Sequence, residues 1–130
     1  MLCAGAAALK EGGILIAVLC CQDMTEPPAF FESFHYTDLK QMELDVREDF
    51  TVPFYVAFYM CCLARHFTII LVTEPENFAN ARKTGATPAA TLQDAWKLAE
   101  AKLKEQGKTD YTINIMPYGG DTLPVLAEKE

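Results

Sequence analysis

The sequence predicts an α/β domain of three layers, with a largely parallel central sheet and helices on both faces. Three observations predict it. Two short apolar runs, residues 14–21 and 67–73, are bounded by polar residues, as strands covered on both faces are, and the second is rich in β-branched side chains. Between and beyond them lie stretches whose apolar residues recur at helical spacing. Strands separated by helices imply right-handed crossovers, and therefore parallel pairing with helices packed on the sheet. The rest of the chain is organised around residues 50–74, which hold most of the apolar surface.

Taken in order, residues 2–9 read as the last turns of a helix, and Lys10-Glu11-Gly12-Gly13 ends it, because glycine supplies the backbone conformation that terminates a helix. A helix ending so near the first residue leads us to expect a chain cut from something longer. The strand 14–21 follows, then a loop 22–28. Thr25 is placed to cap a short helix carrying Ala29, Phe30, Phe31 and Phe34, with Pro27 near its first position. Residues 37–47 form an amphipathic helix in which Leu39, Met42 and Val46 share a face. Within the central stretch, residues 52–65 read as a buried helix, His66 as a turn and 67–73 as a buried strand. Pro75 opens a short helical turn that Gly85 ends, and 86–90 connects onward. Thr91 and Asp94 then form a capping box ahead of a helix with Leu92, Ala95, Trp96, Ala99 and Leu103 in one stripe, ending at Gly107. Residues 111–116 alternate and are read as a third strand, and 117–124 as a turn-rich tail.

At 130 residues the chain makes one domain, able to build a core without staples. A net charge of -7 argues against a nucleic-acid surface, since Lys97, Lys102 and Lys104 are interleaved with Glu100 and Glu105. Five cysteines, Cys3, Cys20, Cys21, Cys61 and Cys62, lie in apolar runs with no Cys-x-x-Cys pair, which fits reduced thiols in a cytoplasmic protein. The run 50–73 is long enough for a membrane, but Pro53 and the Arg65-His66 pair favour a buried helix and strand. Residues 1–21 lack a basic leader and are interrupted by Lys10 and Glu11, so we expect no signal peptide.

No nucleophile elbow, P-loop, dinucleotide fingerprint or metal-binding motif is present. His66, at a helix end, complements the helix dipole. His35, beside Tyr36, lies between helices where it can face a cleft. Gly12-Gly13 and Gly119-Gly120 are turn signals. Phe54, Tyr55, Phe58 and Tyr59 form an aromatic set whose two phenols need polar partners if buried, so that one or both can reach a cleft or a partner.

Four blocks in sequence order carry a resemblance. They are residues 8–16 (Ala8-Leu9-Lys10-Glu11-Gly12-Gly13-Ile14-Leu15-Ile16), 69–73, 85–95 (beginning Gly85-Ala86-Thr87-Pro88) and 115–124 (Ile115-Met116-Pro117-Tyr118-Gly119-Gly120-Asp121-Thr122-Leu123-Pro124). Together they resemble the carboxyl-terminal domain of the lactate racemase family, nickel-pincer-nucleotide enzymes acting on 2-hydroxy acids. The resemblance implies that the cofactor and the catalytic histidines belong to an amino-terminal domain absent here. It also implies that the family's substrate-orienting glutamine and lysine fall just before Met1. This chain would then bind no cofactor or metal alone, would have no racemase activity by itself, and would form one wall of an interdomain cleft holding a small 2-hydroxy acid. It departs from the family at residues 22–28 and at Pro53-Phe54-Tyr55-Val56.

From their positions after a strand's carboxyl end, or at the start of the central helix, we expect Gln22, Asp23, Phe54 and Tyr55 to face that cleft. The alternative is a non-catalytic interaction or regulatory module built on the same fold, which a large exposed apolar patch would favour.

Overall fold

The computed structural model describes residues 2–22, 24–25 and 27–125, and of Leu2 and Cys3 only the backbone. The elements run α1 (Leu2–Ala7), β1 (Ile14–Val18), α2 (Pro28–Glu32), α3 (Leu39–Glu48), α4 (Val52–His66), β2 (Thr68–Val72), α5 (Phe78–Lys83), β3 (Thr87–Ala89) and α6 (Leu92–Glu105). Short 3-10 turns precede α5 and follow α2.

β2 sits at the centre because Ile69, Ile70, Leu71 and Val72 are all buried, which only a strand with neighbours on both edges and cover on both faces achieves. It pairs in parallel with β1 on one edge, Ile16 opposite Ile70 and Val18 opposite Val72. β3 pairs in parallel on the other edge, Ala89 opposite Val72. Side chains alternate between faces along a strand, and two clusters follow. Ala17, Ile69 and Leu71 meet Ala6 of α1, Met60 and Leu63 of α4 and Ala81 of α5. Ile14, Ile16, Ile70, Val72 and Ala89 meet Ala95 and Ala99 of α6. The expected three-layer α/β architecture with a parallel sheet is therefore present.

Helix ends follow local chemistry. The Thr51 hydroxyl accepts from the Phe54 N–H (3.3 Å) and starts α4, whose Ala57, Met60 and Leu63 are buried on one side. The Asp38 carboxylate accepts from the Lys40 N–H (2.9 Å) and starts α3, which buries Met42 and Val46 at a four-residue spacing. Gly107, at φ 66°, takes the left-handed turn that ends α6. At the amino edge of the sheet one residue gathers three segments. The Gly12 N–H donates to the His66 carbonyl (3.0 Å), while its carbonyl accepts from Gln106 Nε2 (3.2 Å) and Lys108 Nζ (3.4 Å).

Five expectations are corrected. The third strand is Thr87–Ala89, where a connection was expected: it is short and contains Pro88, which an edge strand tolerates because one side of its backbone needs no donor. Residues 111–116 form no strand; Tyr111, Ile113 and Ile115 are exposed. Alternation reports one apolar side, not a partner within the same domain. The short helix α2 begins after Pro27 rather than at Thr25, and its amino end carries no side-chain cap. In α6 only Ala95 and Ala99 are buried, with Leu103 half-buried, whereas Leu92 and Trp96 are exposed. The alanines let α6 lie close to the sheet, and that closeness leaves no room for larger residues beside them. His66 ends α4 rather than forming a separate turn.

Candidate functional site at the carboxyl edge of the sheet

In a parallel sheet the carboxyl ends of all strands open on one edge, the usual place for ligand-contacting loops. Here that edge carries the loops after β1, β2 and β3. It also receives the amino end of α4, because α4 must run back along the sheet to deliver Thr68 to the start of β2. At 1.5 Å per residue its 15 residues span about 22 Å, more than the roughly 17 Å of a five-residue strand. The aromatic start of α4 thus extends past the strand ends.

The loops are tied to one another by backbone and amide hydrogen bonds. The Leu19 N–H donates to the Val72 carbonyl (3.0 Å), and the Thr73 N–H to the Ala89 carbonyl (3.1 Å), extending the ladder beyond each strand. Buried Asn77 donates from Nδ2 to the Cys21 carbonyl (2.6 Å) and to Thr73 Oγ1 (3.1 Å). Asn80 Nδ2 donates to the Met24 carbonyl (3.0 Å). One amide thus fixes the loop after β1 against the end of β2. Sequence reasoning missed Asn77 and Asn80. The available signal was a pair of amides three apart at the start of a short helix directly after a buried strand, read there only as a helical turn.

Of the expected cleft residues, Gln22 is exposed in the loop after β1, and Asp23 lies outside the described residues. Phe54 is half-buried and stacks on Tyr36 (centroids 5.7 Å, 29°). Tyr55 is 45% exposed, its ring near Phe50 (5.9 Å) and Tyr59 (6.5 Å). No hydrogen bond joins Gln22 to Tyr55. With Phe50, Val52 and Val56 exposed as well, the start of α4 presents an apolar, aromatic surface rather than a set of reactive groups.

His66 Nδ1 lies 3.0 Å from Glu11 Oε1 at the opposite edge, and the His35 ring is bonded to the Glu32 carbonyl (2.7 Å) and set against Tyr36. The Tyr36 hydroxyl donates to Asp45 Oδ2 (2.7 Å), and that bond holds its pKa above the ordinary phenol value. Burial pushes the Cys61 and Cys62 thiols up, so both are protonated and poorly nucleophilic at neutral pH. Cys20, Cys21, Cys61 and Cys62 are all free. Among the described residues no three His, Cys, Asp or Glu side chains are grouped to hold a metal. Among the same residues no helix is long and apolar enough to cross a membrane. An open depression of about 200 Å³ lies between the carboxyl ends of α4 and α5, where Arg65 and Lys83 complement the helix dipoles, away from the carboxyl edge of the sheet.

The lactate racemase of Thermoanaerobacterium thermosaccharolyticum is 29% identical over 121 residues, covering 89% of this chain and 28% of that protein. The solved lactate racemase apoprotein from the same organism superposes with a TM-score of 0.70 at 26% identity, over 78% of this chain and 26% of that one. By sequence and by fold this chain is similar to part of a lactate racemase. No protein-family model matches the chain. The chain thus spans little more than a quarter of the relative it matches, so most of that protein's length has no counterpart in these 130 residues. A nickel-bearing nucleotide of the kind the resemblance implies finds no ligand set among the described residues, so none of its chemistry is assigned to them.

Proposed function

We propose that this chain is the carboxyl-terminal, substrate-side domain of a nickel-pincer 2-hydroxy-acid racemase or epimerase, inactive alone. The observation that carries the reading is the sequence match to lactate racemase over 89% of this chain but 28% of the enzyme. The apolar, aromatic start of α4 is consistent with it, since a wall needs shape and polarity but no base of its own. In this reading the cofactor and the proton-transferring histidines sit on an amino-terminal portion, and a small 2-hydroxy acid lies in the cleft between the two.

The chain's own part is to bind, orient and exclude water. The Gln22 amide can donate to a substrate carboxylate and accept from a hydroxyl. Tyr55 offers an apolar ring with a phenol at its tip, and Phe54 backs the start of α4. Asp23 belongs to the same proposed wall. A cytoplasmic setting is part of this reading, and the free thiols suit it.

A second reading, a non-catalytic interaction or regulatory module, draws on the exposed surface of Phe50, Val52, Tyr55 and Val56. A racemisation assay on lactate and other 2-hydroxy acids separates the two. The chain is assayed alone and with a cofactor-loaded amino-terminal portion of a lactate racemase. Activity only in the mixture is the expected result. Activity of the chain alone, or no gain over the amino-terminal portion by itself, counts against the enzyme reading, the latter favouring the module.

A further inference from the structure

The stretch after α6 does not have the chemistry of a solvated tail. Solvated tails are rich in charge, whereas residues 111–125 carry one charged side chain, Asp121. Ile115 (84%), Tyr118 (78%), Leu123 (77%) and Val125 (82%) stand open to solvent, with Tyr111 and Ile113 also exposed. Among the described residues, 109–117 make no hydrogen bond, so backbone donors and acceptors run unpaired beside an alternating apolar row. The first ordered feature beyond is a turn closed by the Asp121 N–H on the Tyr118 carbonyl (2.9 Å) and reinforced by the Thr122 hydroxyl on the same oxygen (2.8 Å). An apolar row with free backbone groups is what a partner's strand edge or groove accepts.

We infer that residues 111–125 are a docking arm whose occupant is the larger portion of a lactate-racemase-like protein, the part outside these 130 residues. This rests on the two-part reading above and adds the surface by which the parts are held. The length of polypeptide outside the chain supplies the argument for that occupant, since about seven-tenths of the matched racemase lies beyond it. Apolar residues placed on an arm leave the loops of the carboxyl edge free for a ligand.

The test mixes the 130-residue chain with a polypeptide comprising the remaining residues of the Thermoanaerobacterium lactate racemase. Amide hydrogen exchange and light scattering are followed for the chain and for an Ile113→Asp/Ile115→Asp double variant. Both positions are exposed, so the variant's melting temperature should match the parent's. Expected are a one-to-one complex, slowed exchange confined largely to 111–125, and weakening on the order of a hundredfold in the variant. A complex that forms with the arm still fast-exchanging, or that the double variant leaves unweakened, overturns the arm while the two-part reading stands. Slow exchange of the arm in the chain alone overturns it too. If independent of concentration, that result means the arm folds on its own domain; if concentration-dependent, the occupant is a second copy. Failure to form any complex also overturns the arm, and the racemisation assay then judges the two-part reading separately.

Discussion

The two faces of the sheet are closed by different means. One is covered by α1, α4 and α5, with α2 stacked outside, and its core is built from bulky flexible side chains such as Met60 and Leu63, with Phe30 and Phe34 packed around them. Among the described residues the other is closed by α6 alone, through Ala95 and Ala99 against Ile70 and Val72. A thick layer fills space with side chains that can shift; a thin one closes it by bringing backbone near backbone. The same cut in the same core should therefore cost different amounts on the two sides.

The largest effects test this directly. Truncation of a buried aliphatic residue costs about 2–5 kcal/mol, depending on how far the site can collapse. Ile70, 1% exposed beneath the alanines of α6, should lie at the upper end in Ile70→Ala. Leu63→Ala should lie at the lower end, because Met60 can repack into the gap. Urea denaturation of both variants checks the order, and equal costs would break the comparison. Overfilling should be felt most on the thin face: Ala95→Leu is expected to cost about 1–3 kcal/mol.

At the carboxyl edge, Asn77→Ala leaves the Cys21 carbonyl without its donor and should cost about 1–3 kcal/mol. It should also speed amide exchange in residues 19–25, while the amino edge near Gly12 is unaffected. Thr91→Ala removes the cap of the thin face's helix, at about 1 kcal/mol. The Thr91 hydroxyl, donating to Asp94 Oδ2 (2.7 Å), is the main cause of the lowered Asp94 pKa. A lowered folded pKa means the contribution is present above the unfolded aspartate value and fades as pH falls through the depressed one. Melting curves through that acid window should show this slope in the parent and not in Asp94→Asn. The smallest effect belongs to the solvent-exposed Arg47–Glu43 pair on α3: Arg47→Ala should change stability by about 0.3–0.5 kcal/mol and less at high salt.

The sequence made the thick face legible because its elements carry strong periodic signals: the β-branched run of β2, the all-round apolar α4 and the amphipathic α3. The thin face was half legible. Thr91 announced α6, but Leu92 and Trp96 were drawn into its buried stripe because hydrophobicity says which residues prefer burial, not how close two backbones come. β3 escaped because Thr87-Pro88-Ala89 is too short to show a period. Residues 111–116 misled for the opposite reason, having the period but no adjacent edge. In the candidate site the position of Gln22 and the exposure of Tyr55 were readable from their places after a strand and at a helix start. Asn77 was not, since its importance lies in a bond to a residue 56 positions away.

Gly12 also sets where this domain would yield to a pull. Tension drawn along the chain beyond Lys108 meets the end of α6 through the Lys108 N–H on the Leu103 carbonyl (2.9 Å), and the entry of β1 through two side-chain contacts on a single carbonyl, at 3.2 and 3.4 Å. These are successive weak links rather than parallel strong ones, so the helix would peel from the sheet before any strand was sheared. The buried β2 ladder would be the last part to give way.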